Sequence, residues 1–278
     1  MQNTGTKKGS PGTRYMMILI GIALFLPPLA IIPQTAGEVN LCGSVCPRMF
    51  FILSPAGILE GFRNNMQAMW FGASLVGLIL LTTFLMGRLW CSHLCPIGGT
   101  TELVSRGIPE RLKTSFSFLH APAFRYAYFI VFIAGMLAGI GGIACKLCNF
   151  RVVPFMAGSL FVPSYRTYLF SSVGLAGIAT VSLTGFFARG GRGYCNLLCP
   201  VGALDSMVNY LSERLGFTRK VRTDLSKCNG CGKCIGECMV WALERSGNGK
   251  IKRDQASCMS CKECIHACPQ EAIRYGRL

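Results

Sequence analysis

The hydrophobic positions of this chain fall into four long runs separated by shorter polar segments. The runs cover residues 16–32, 69–86, 126–144 and 168–187. A helix crosses the hydrocarbon core of a membrane with roughly 17–25 apolar residues. The pattern therefore predicts an α-helical integral membrane protein with four transmembrane helices. Basic residues precede the first run, as they precede a secretory signal, but we expect this run to remain as a membrane anchor.

Two shorter apolar segments, 49–62 and 152–162, contain prolines and are too short to span a membrane. We expect both to be re-entrant or interfacial segments. Each segment lies between a cysteine pair and a long apolar run. A second cysteine pair follows that run. Because this order occurs twice, the sequence predicts two tandem repeats related about the membrane normal.

Composition and charge agree with a membrane protein. Apolar residues make up 51% of the chain and charged residues 14%, whereas soluble domains carry about a quarter charged residues. The 28 Lys and Arg outnumber the 12 Asp and Glu. They concentrate before the first run, between the second and third runs, and in the C-terminal tail. The positive-inside rule then places both termini on the cytoplasmic side of the inner membrane, and no nucleic-acid partner is expected.

All 16 cysteines stand in closely spaced groups, a pattern that indicates metal ligation or disulfides rather than scattered core thiols. The groups are Cys42/Cys46, Cys91/Cys95, Cys145/Cys148 and Cys195/Cys199, followed by Cys228/Cys231/Cys234/Cys238 and Cys258/Cys261/Cys264/Cys268.

The two C-terminal groups follow C-x2-C-x2-C-x3-C, the spacing of two-cluster ferredoxins. In that arrangement three cysteines of one motif and the fourth of the other ligate each 4Fe–4S cluster. The predicted ligand sets are Cys228, Cys231, Cys234 and Cys268 for one cluster, and Cys258, Cys261, Cys264 and Cys238 for the other. Between the motifs, WALERSGNGKIKRD (residues 241–254) predicts a strand, a turn and a strand.

The pairs Cys91/Cys95 and Cys195/Cys199 are predicted at the cytoplasmic membrane surface, where disulfides are rare. We expect the four thiols to share a third iron–sulfur cluster, with redox-active thiols, structural thiols or zinc as open alternatives.

The other two pairs, Cys42/Cys46 and Cys145/Cys148, are predicted at the outer face. Their duplication favours a fourth cluster, whereas the oxidising compartment favours disulfides. Both interpretations remain open.

The domain organisation follows from these patterns. Residues 1–33 hold the N-terminal tail and the first transmembrane helix, and residues 34–118 form the first repeat. Residues 119–218 hold the third transmembrane helix and the second repeat. Residues 219–278 form a small α+β ferredoxin domain with two 4Fe–4S clusters.

The motifs CSHLCP (residues 91–96) and CNLLCP (residues 195–200), together with the eight C-terminal cysteines, carry a family resemblance. The chain resembles NapH-type membrane-bound ferredoxin-type quinol dehydrogenase subunits and related membrane polyferredoxins. The resemblance implies electron transfer between the quinone pool and redox partners, within a multisubunit oxidoreductase. The outer cysteine pairs are not part of the minimal pattern of that family.

The expected function is therefore electron transfer between quinol or an outer-face redox protein and a cytoplasmic-side ferredoxin chain. Expected partners are other subunits of a membrane redox complex, an outer-face electron-transfer protein, a cytoplasmic iron–sulfur subunit and quinone, whose site is unknown. No catalytic residue is predicted, and no haem is expected because no histidine lies within a predicted span. A membrane thiol–disulfide relay and a cluster or metal assembly factor are the alternative functions.

Overall fold

The computed structural model describes residues 11–31, 70–119, 121–138 and 145–277. Its first part is built almost entirely from helices. They are α1 (Pro11–Phe25), α2 (Trp70–Met86), α3 (Pro96–Gly107), α4 (Ala121–Leu137), α5 (Asn149–Gly158), α6 (Pro163–Leu169), α7 (Ser172–Val181), α8 (Gly193–Leu197) and α9 (Pro200–Leu211). Single π-helical turns occupy Trp90–Leu94 and Ser182–Phe186, and single 3-10 turns occupy Glu110–Leu112 and Ser212–Arg214.

The C-terminal part forms a small domain with two two-stranded antiparallel sheets. Its elements are β1 (Lys220–Thr223), α10 (Lys233–Gly236), β2 (Leu243–Arg245), β3 (Ile251–Arg253), α11 (Glu263–Ala267) and β4 (Ile273–Gly276). Strand β1 pairs with β4, and β2 pairs with β3 through the register Leu243↔Arg253. The predicted hairpin between the two cysteine motifs is confirmed.

The two repeats exchange contacts with each other rather than folding side by side. Helix α9 of the second repeat packs on α2 of the first, and α3 of the first packs on the turn that continues α7. Backbone hydrogen bonds also join these parts of the chain. The Thr114 amide of the first repeat donates to the Phe187 carbonyl of the second at 2.7 Å, and the Arg219 amide, at the start of the ferredoxin domain, donates to the Leu85 carbonyl of the first repeat at 2.8 Å. The two repeats are therefore joined by helix packing and by a backbone hydrogen bond.

The predicted spans differ from the helices at their ends. Helix α1 ends at Phe25, whereas the first apolar run continues to residue 32. The fourth run was expected to start at Tyr168, but the chain bends by 82° between α6 and α7. The bend occurs because Ser171 is extended and its hydroxyl accepts a hydrogen bond from the Gly174 amide, which starts a new helix.

The described helices can be compared with the length and hydropathy of a membrane-spanning helix. Within the described ranges, no single helix has both the length and the hydropathy that a membrane crossing needs. Only the bent pair Pro163–Leu169 and Ser172–Phe186 reaches both when its two helices are taken together.

Candidate metal centre

The four thiols of the inner pairs border one cavity. Cys91 and Cys95 come from the first repeat, Cys195 and Cys199 come from the second, and none is more than 8% exposed. The cavity measures about 600 Å³ including its opening, and its other walls are largely apolar, with Trp90 among them. In the part of the chain that the structure describes, no three His, Cys, Asp or Glu side chains converge on a single metal ion. The two repeats therefore bring the four predicted thiols to one place.

The second cysteine of each inner pair occupies the same place in its repeat. Cys95 is the N-cap of α3, and Cys199 is the N-cap of α9. Proline follows each cysteine as the first helical residue, where its missing N–H costs nothing. The Cys199 sulfur accepts a hydrogen bond from the Gly202 amide at 3.3 Å. The positive ends of two helix dipoles therefore face the cavity and favour anionic sulfur there.

Two buried ion pairs cross between the repeats beside these thiols. Arg88 stands three residues before Cys91, and its Nε lies 3.0 Å from Oδ2 of Asp205 on α9. In the same way, Arg192 stands three residues before Cys195, and its Nη2 lies 2.8 Å from Oε2 of Glu102 on α3.

None of these four charged side chains is exposed. Asp205 also accepts a hydrogen bond from the Cys91 thiol at 3.1 Å, which ties the first pair directly to the cavity.

Buried positive charge exceeds buried negative charge around the cavity. Arg14 joins Glu102 at 2.5 Å, and Arg125 donates to the Asn196 carbonyl at 2.6 Å. Four nearly or fully buried arginines, Arg14, Arg88, Arg125 and Arg192, meet two buried carboxylates, Glu102 and Asp205, and the partly exposed Glu263, which pairs with Arg14 at 2.9 Å, so positive charge is in excess. A 4Fe–4S cluster with four thiolates carries a charge of about −2. The donor set and its charge fit such a cluster.

Burial is the largest cause that favours the protonated form of the Cys195 and Cys199 thiols. Burial, and then the neighbouring Cys95 charge, raises the pKa of Cys195 to about 11. Burial also raises the pKa of Cys199 well above its ordinary value. Because thiolates are the metal-binding form, loading the site with iron releases protons.

Seven of the eight C-terminal cysteines, all but Cys231, belong to one packed cluster of side chains. Burial, and then the charges of Cys268, Cys231 and Cys228, raises the pKa of Cys234. Burial, and then the charges of Cys261, Cys258 and Cys238, also raises the pKa of Cys264. Cys268 is thus a neighbour of Cys234, and Cys238 is a neighbour of Cys264, while the two ligand sets stay a prediction. Gly232 and Lys262, both with positive φ, make the turns before α10 and α11.

The ferredoxin domain packs directly on the four-cysteine cavity. Cys91 and Cys195 belong to the same buried cluster of side chains as Cys258 and Cys264. Polar contacts hold the two parts together. The Asn196 amide donates to the Val240 carbonyl at 2.9 Å, and Arg125 donates to the Ala256 carbonyl at 3.0 Å.

The remaining pairs give a different result. Cys42 and Cys46 lie outside the described residues. Cys145 and Cys148 were expected at the opposite membrane face from the inner pairs, but the Cys148 sulfur lies 3.0 Å from the Tyr194 hydroxyl. Tyr194 precedes Cys195 in the chain and packs with Cys199 and Cys148 in one buried cluster. Cys148 therefore lies close to the inner pairs, and the outer-face location of Cys145 and Cys148 stays a prediction.

The packing of α5 against α7 explains this position. Gly177, in the middle of α7, has no side chain, and a Cβ there would lie 2.6 Å from Val152 and 3.7 Å from the Lys146 carbonyl. Helix α5 can therefore approach α7 closely, which carries the preceding cysteines toward the inner site.

Sequence reasoning did not identify the buried ion pairs. From the sequence alone, Arg192 fits either a counter-charge to a cluster or ordinary positive-inside anchoring. The signal that could have distinguished these roles is the repeated position of Arg88 and Arg192, each three residues before the first cysteine of an inner pair. The carboxylate partners of these arginines are harder to predict, because their positions differ between the repeats. Glu102 follows Cys95 by seven residues, whereas Asp205 follows Cys199 by six.

Comparison with known families supports the cysteine chemistry. A model described as a 4Fe-4S binding domain matches residues 68–115 and again residues 172–218, so that each match contains one inner pair. A model described as a 4Fe-4S dicluster domain matches residues 227–273. The matches therefore cover both inner pairs and all eight C-terminal cysteines.

Two curated proteins are similar to this chain. "Putative electron transport protein YccM" of Escherichia coli (strain K12) is 26% identical over 212 residues, which cover 68% of this chain and 55% of that protein. "Methylamine utilization ferredoxin-type protein MauN" of Methylobacillus flagellatus is 27% identical over 170 residues, which cover 59% of this chain and 54% of that protein. The chain spans about half the length of these relatives.

No solved structure matches the chain. The family models and the two relatives nevertheless agree on one chemistry. The chain carries two matches to a 4Fe-4S binding domain and one to a 4Fe-4S dicluster domain, and it is similar to one protein named for electron transport and to another named as ferredoxin-type.

Proposed function

We propose that this chain is a membrane-bound electron-transfer subunit of the NapH-like quinol dehydrogenase type. It exchanges electrons between the quinone pool, or an outer-face redox protein, and an iron–sulfur partner on the cytoplasmic side. The observation that carries this proposal is the position of the four-cysteine cavity. The cavity takes two thiols from each repeat and packs on Cys258 and Cys264 of the ferredoxin domain.

The cysteines of the described structure include buried thiols beside the cavity and one exposed thiol at the protein surface. The cavity adjoins the group of Cys238, Cys258, Cys261 and Cys264, and Cys264 is also influenced by Cys234 of the other group. That last group contains Cys231, which is exposed. Bound 4Fe–4S clusters supply one-electron transfer at potentials set by their surroundings. An exposed final group supports a cytoplasmic iron–sulfur partner.

Exposed apolar side chains support a membrane location. Large hydrophobic residues stand exposed on α1, α2, α4 and the α7 region of the described structure, as shown by Leu19, Leu81, Ile130 and Leu183. Contiguous exposed apolar surface is unfavourable in water and marks contact with lipid or another protein. Together with the basic flanks of the apolar runs, this surface supports a multi-pass inner-membrane protein with both termini in the cytoplasm.

Quinone reactivity tests the function. The purified protein in detergent is treated anaerobically with duroquinol, and the dithionite-reduced protein is treated with duroquinone. We expect the visible cluster absorption to change in at least one direction. If dithionite reduces the clusters but neither duroquinol nor duroquinone changes their absorption, the quinol dehydrogenase assignment is contradicted.

The double variant Cys91→Ala/Cys195→Ala is the matched control. It should keep clusters that dithionite reduces, because the eight C-terminal cysteines are intact. It should lose the response to duroquinol or duroquinone. If it keeps the full response, the four-cysteine site is not part of the electron route.

A further inference from the structure

We infer that Arg14 is a positioning residue that joins the four-cysteine cavity to the ferredoxin domain and raises the reduction potential of the clusters on both sides. The inference rests on the proposed function for the presence of these clusters, but its evidence comes from contacts of helix α1. No family match includes this helix, since the matched residues begin at 68. In the sequence, Arg14 is one of several basic residues before the first apolar run, and nothing there distinguishes it.

The first observation is the contact of Arg14 with the inner-pair segment of the first repeat. Its Nη2 lies 2.5 Å from Oε2 of Glu102, and its Nε donates to the Ser92 carbonyl at 3.2 Å. Ser92 directly follows Cys91, and Glu102 belongs to α3, the helix that Cys95 caps. The guanidinium therefore lies beside the segment that carries two thiols of the cavity.

The second observation is that the same guanidinium reaches the ferredoxin domain. Its Nη1 lies 2.9 Å from Oε1 of Glu263, the first residue of α11, and its Nη2 lies 3.4 Å from the Met239 sulfur. Met239 directly follows Cys238, and Glu263 directly precedes Cys264. One side chain of α1 therefore contacts the segments of both cysteine sites.

The third observation is the burial of this charge. The Arg14 side chain is only 3% exposed, and a buried charge is weakly screened by water and salt. Its influence extends to the ferredoxin thiols. Burial raises the pKa of Cys261 to about 12, and the charge of Arg14 is the largest influence in the opposite direction.

The effect on the clusters follows from the sign of the charge. Reduction adds one negative charge to a 4Fe–4S cluster, and a nearby cation favours the reduced form. Arg14 should therefore raise the potentials of the cavity cluster and of the adjoining ferredoxin cluster, whose predicted ligands include Cys238 and Cys261. The ferredoxin cluster predicted at Cys228 and Cys231 should respond least.

Removal of Arg14 leaves the neighbouring ion pair in place. Arg192 contacts the same Glu102 oxygen at 2.8 Å through its Nη2, and both of these side chains are fully buried. We therefore expect a variant without the Arg14 charge to keep the inner site assembled, so that its reduction potentials can be measured.

Redox titration of the full-length protein in detergent, followed by EPR, tests this inference. Arg14→Gln should keep the iron content of the wild type and shift the cavity cluster and the adjoining ferredoxin cluster to lower potential. Arg14→Lys keeps the positive charge and should leave both potentials close to those of the wild type. The Cys91→Ala/Cys195→Ala variant identifies the signal of the cavity cluster by its loss.

Arg106→Gln is the matched control. Arg106 pairs with the same Glu102 carboxylate at 3.4 Å, but its side chain is 51% exposed. Its removal should leave every potential unchanged, because water screens its charge. The inference fails if Arg14→Gln shifts no potential or shifts all three equally. It also fails if Arg14→Lys or Arg106→Gln gives the same shift as Arg14→Gln.

Glu263→Gln decides the inference even if Arg14→Gln binds less iron. This change removes the negative charge that partly offsets Arg14, so the adjoining ferredoxin cluster should shift to higher potential. An unchanged potential would show that the Arg14–Glu263 pair does not act on that cluster, and would overturn the inference. The response to duroquinol tests the proposed function separately, so either claim can fail without the other.

Discussion

The guanidinium of Arg88 and the carboxylate of Asp205 form an ion pair that joins the two repeats, and neither side chain is exposed. Their Nε and Oδ2 atoms are 3.0 Å apart, although the residues are separated by 117 positions in the chain. Arg192 and Glu102 form the corresponding pair in the reverse direction. The two pairs fix the relative position of α3 and α9, the helices that present Cys95 and Cys199 to the cavity.

Breaking one of these pairs should destabilise the protein strongly. In Arg88→Met, Asp205 stays buried without its partner, and removal of one member of a buried pair costs about 3–5 kcal/mol. The double variant Arg88→Met/Asp205→Leu should recover most of this loss, because no unpaired charge remains. Apparent melting temperature in detergent measures both effects.

The exposed pair Lys252–Glu244 is the matched control for that experiment. Its atoms are 3.5 Å apart, and both side chains are at least 66% exposed. Lys252→Met should therefore change stability by less than about 1 kcal/mol. If Arg88→Met is as mild as Lys252→Met, the buried pair does not hold the repeats together.

Two glycines of α3 should respond oppositely to alanine. A Cβ on Gly98 would overlap the Arg192 guanidinium and lie 3.0 Å from the Cys195 sulfur. Gly98→Ala should therefore disturb the four-cysteine cavity and lower the iron content by about four. At Gly107 a Cβ meets nothing within 4 Å, so Gly107→Ala should keep its iron and gain about 0.5–1 kcal/mol in stability. Equal iron content in the two variants would contradict the packing described at Gly98.

Acid should weaken the Arg192–Glu102 contact. Burial alone would raise the pKa of Glu102, but Arg192 and Arg14 outweigh it and hold the pKa below its ordinary value of 4.5. A lowered folded-state pKa contributes stability above the unfolded value, and this contribution is lost as the pH falls through the folded value. The wild type should therefore lose stability below about pH 4.5.

Glu102→Gln separates this contribution from other effects of acid. The variant should be less stable than the wild type at pH 7, and the difference between the two melting temperatures should shrink as the pH is lowered to 4. A difference that is constant across this range would show that ionisation of Glu102 contributes nothing.

The two kinds of cysteine motif differ in how far sequence alone could predict them. The spacing of the C-terminal motifs and the Gly-Asn-Gly turn predicted the β2–β3 hairpin, because both signals are local in the chain. The duplication of Cys91/Cys95 as Cys195/Cys199 predicted that the four thiols would meet. The ion pairs of Arg88 and Arg192 could not be found in this way, because each joins residues about a hundred positions apart whose offsets differ between the repeats.

Hydropathy also could not predict how close Cys148 lies to the inner pairs. An apolar segment reports that its residues avoid water, but it does not report how deeply the segment is inserted among neighbouring helices. Here the depth depends on the missing side chain of Gly177, which lets Val152 approach α7. Such close packing depends on two segments at once, so a hydrophobic pattern read along one segment cannot show it.

The iron content of three cysteine variants tests most directly whether the two repeats share one cluster. Cys91→Ala removes a thiol of the first repeat, Cys195→Ala removes one of the second, and the third variant carries both changes. If the four thiols hold a single 4Fe–4S cluster, each single variant should lose about four irons and the double variant should lose no more. Losses that add to about eight irons, or unchanged iron content in both single variants, would contradict a shared cluster.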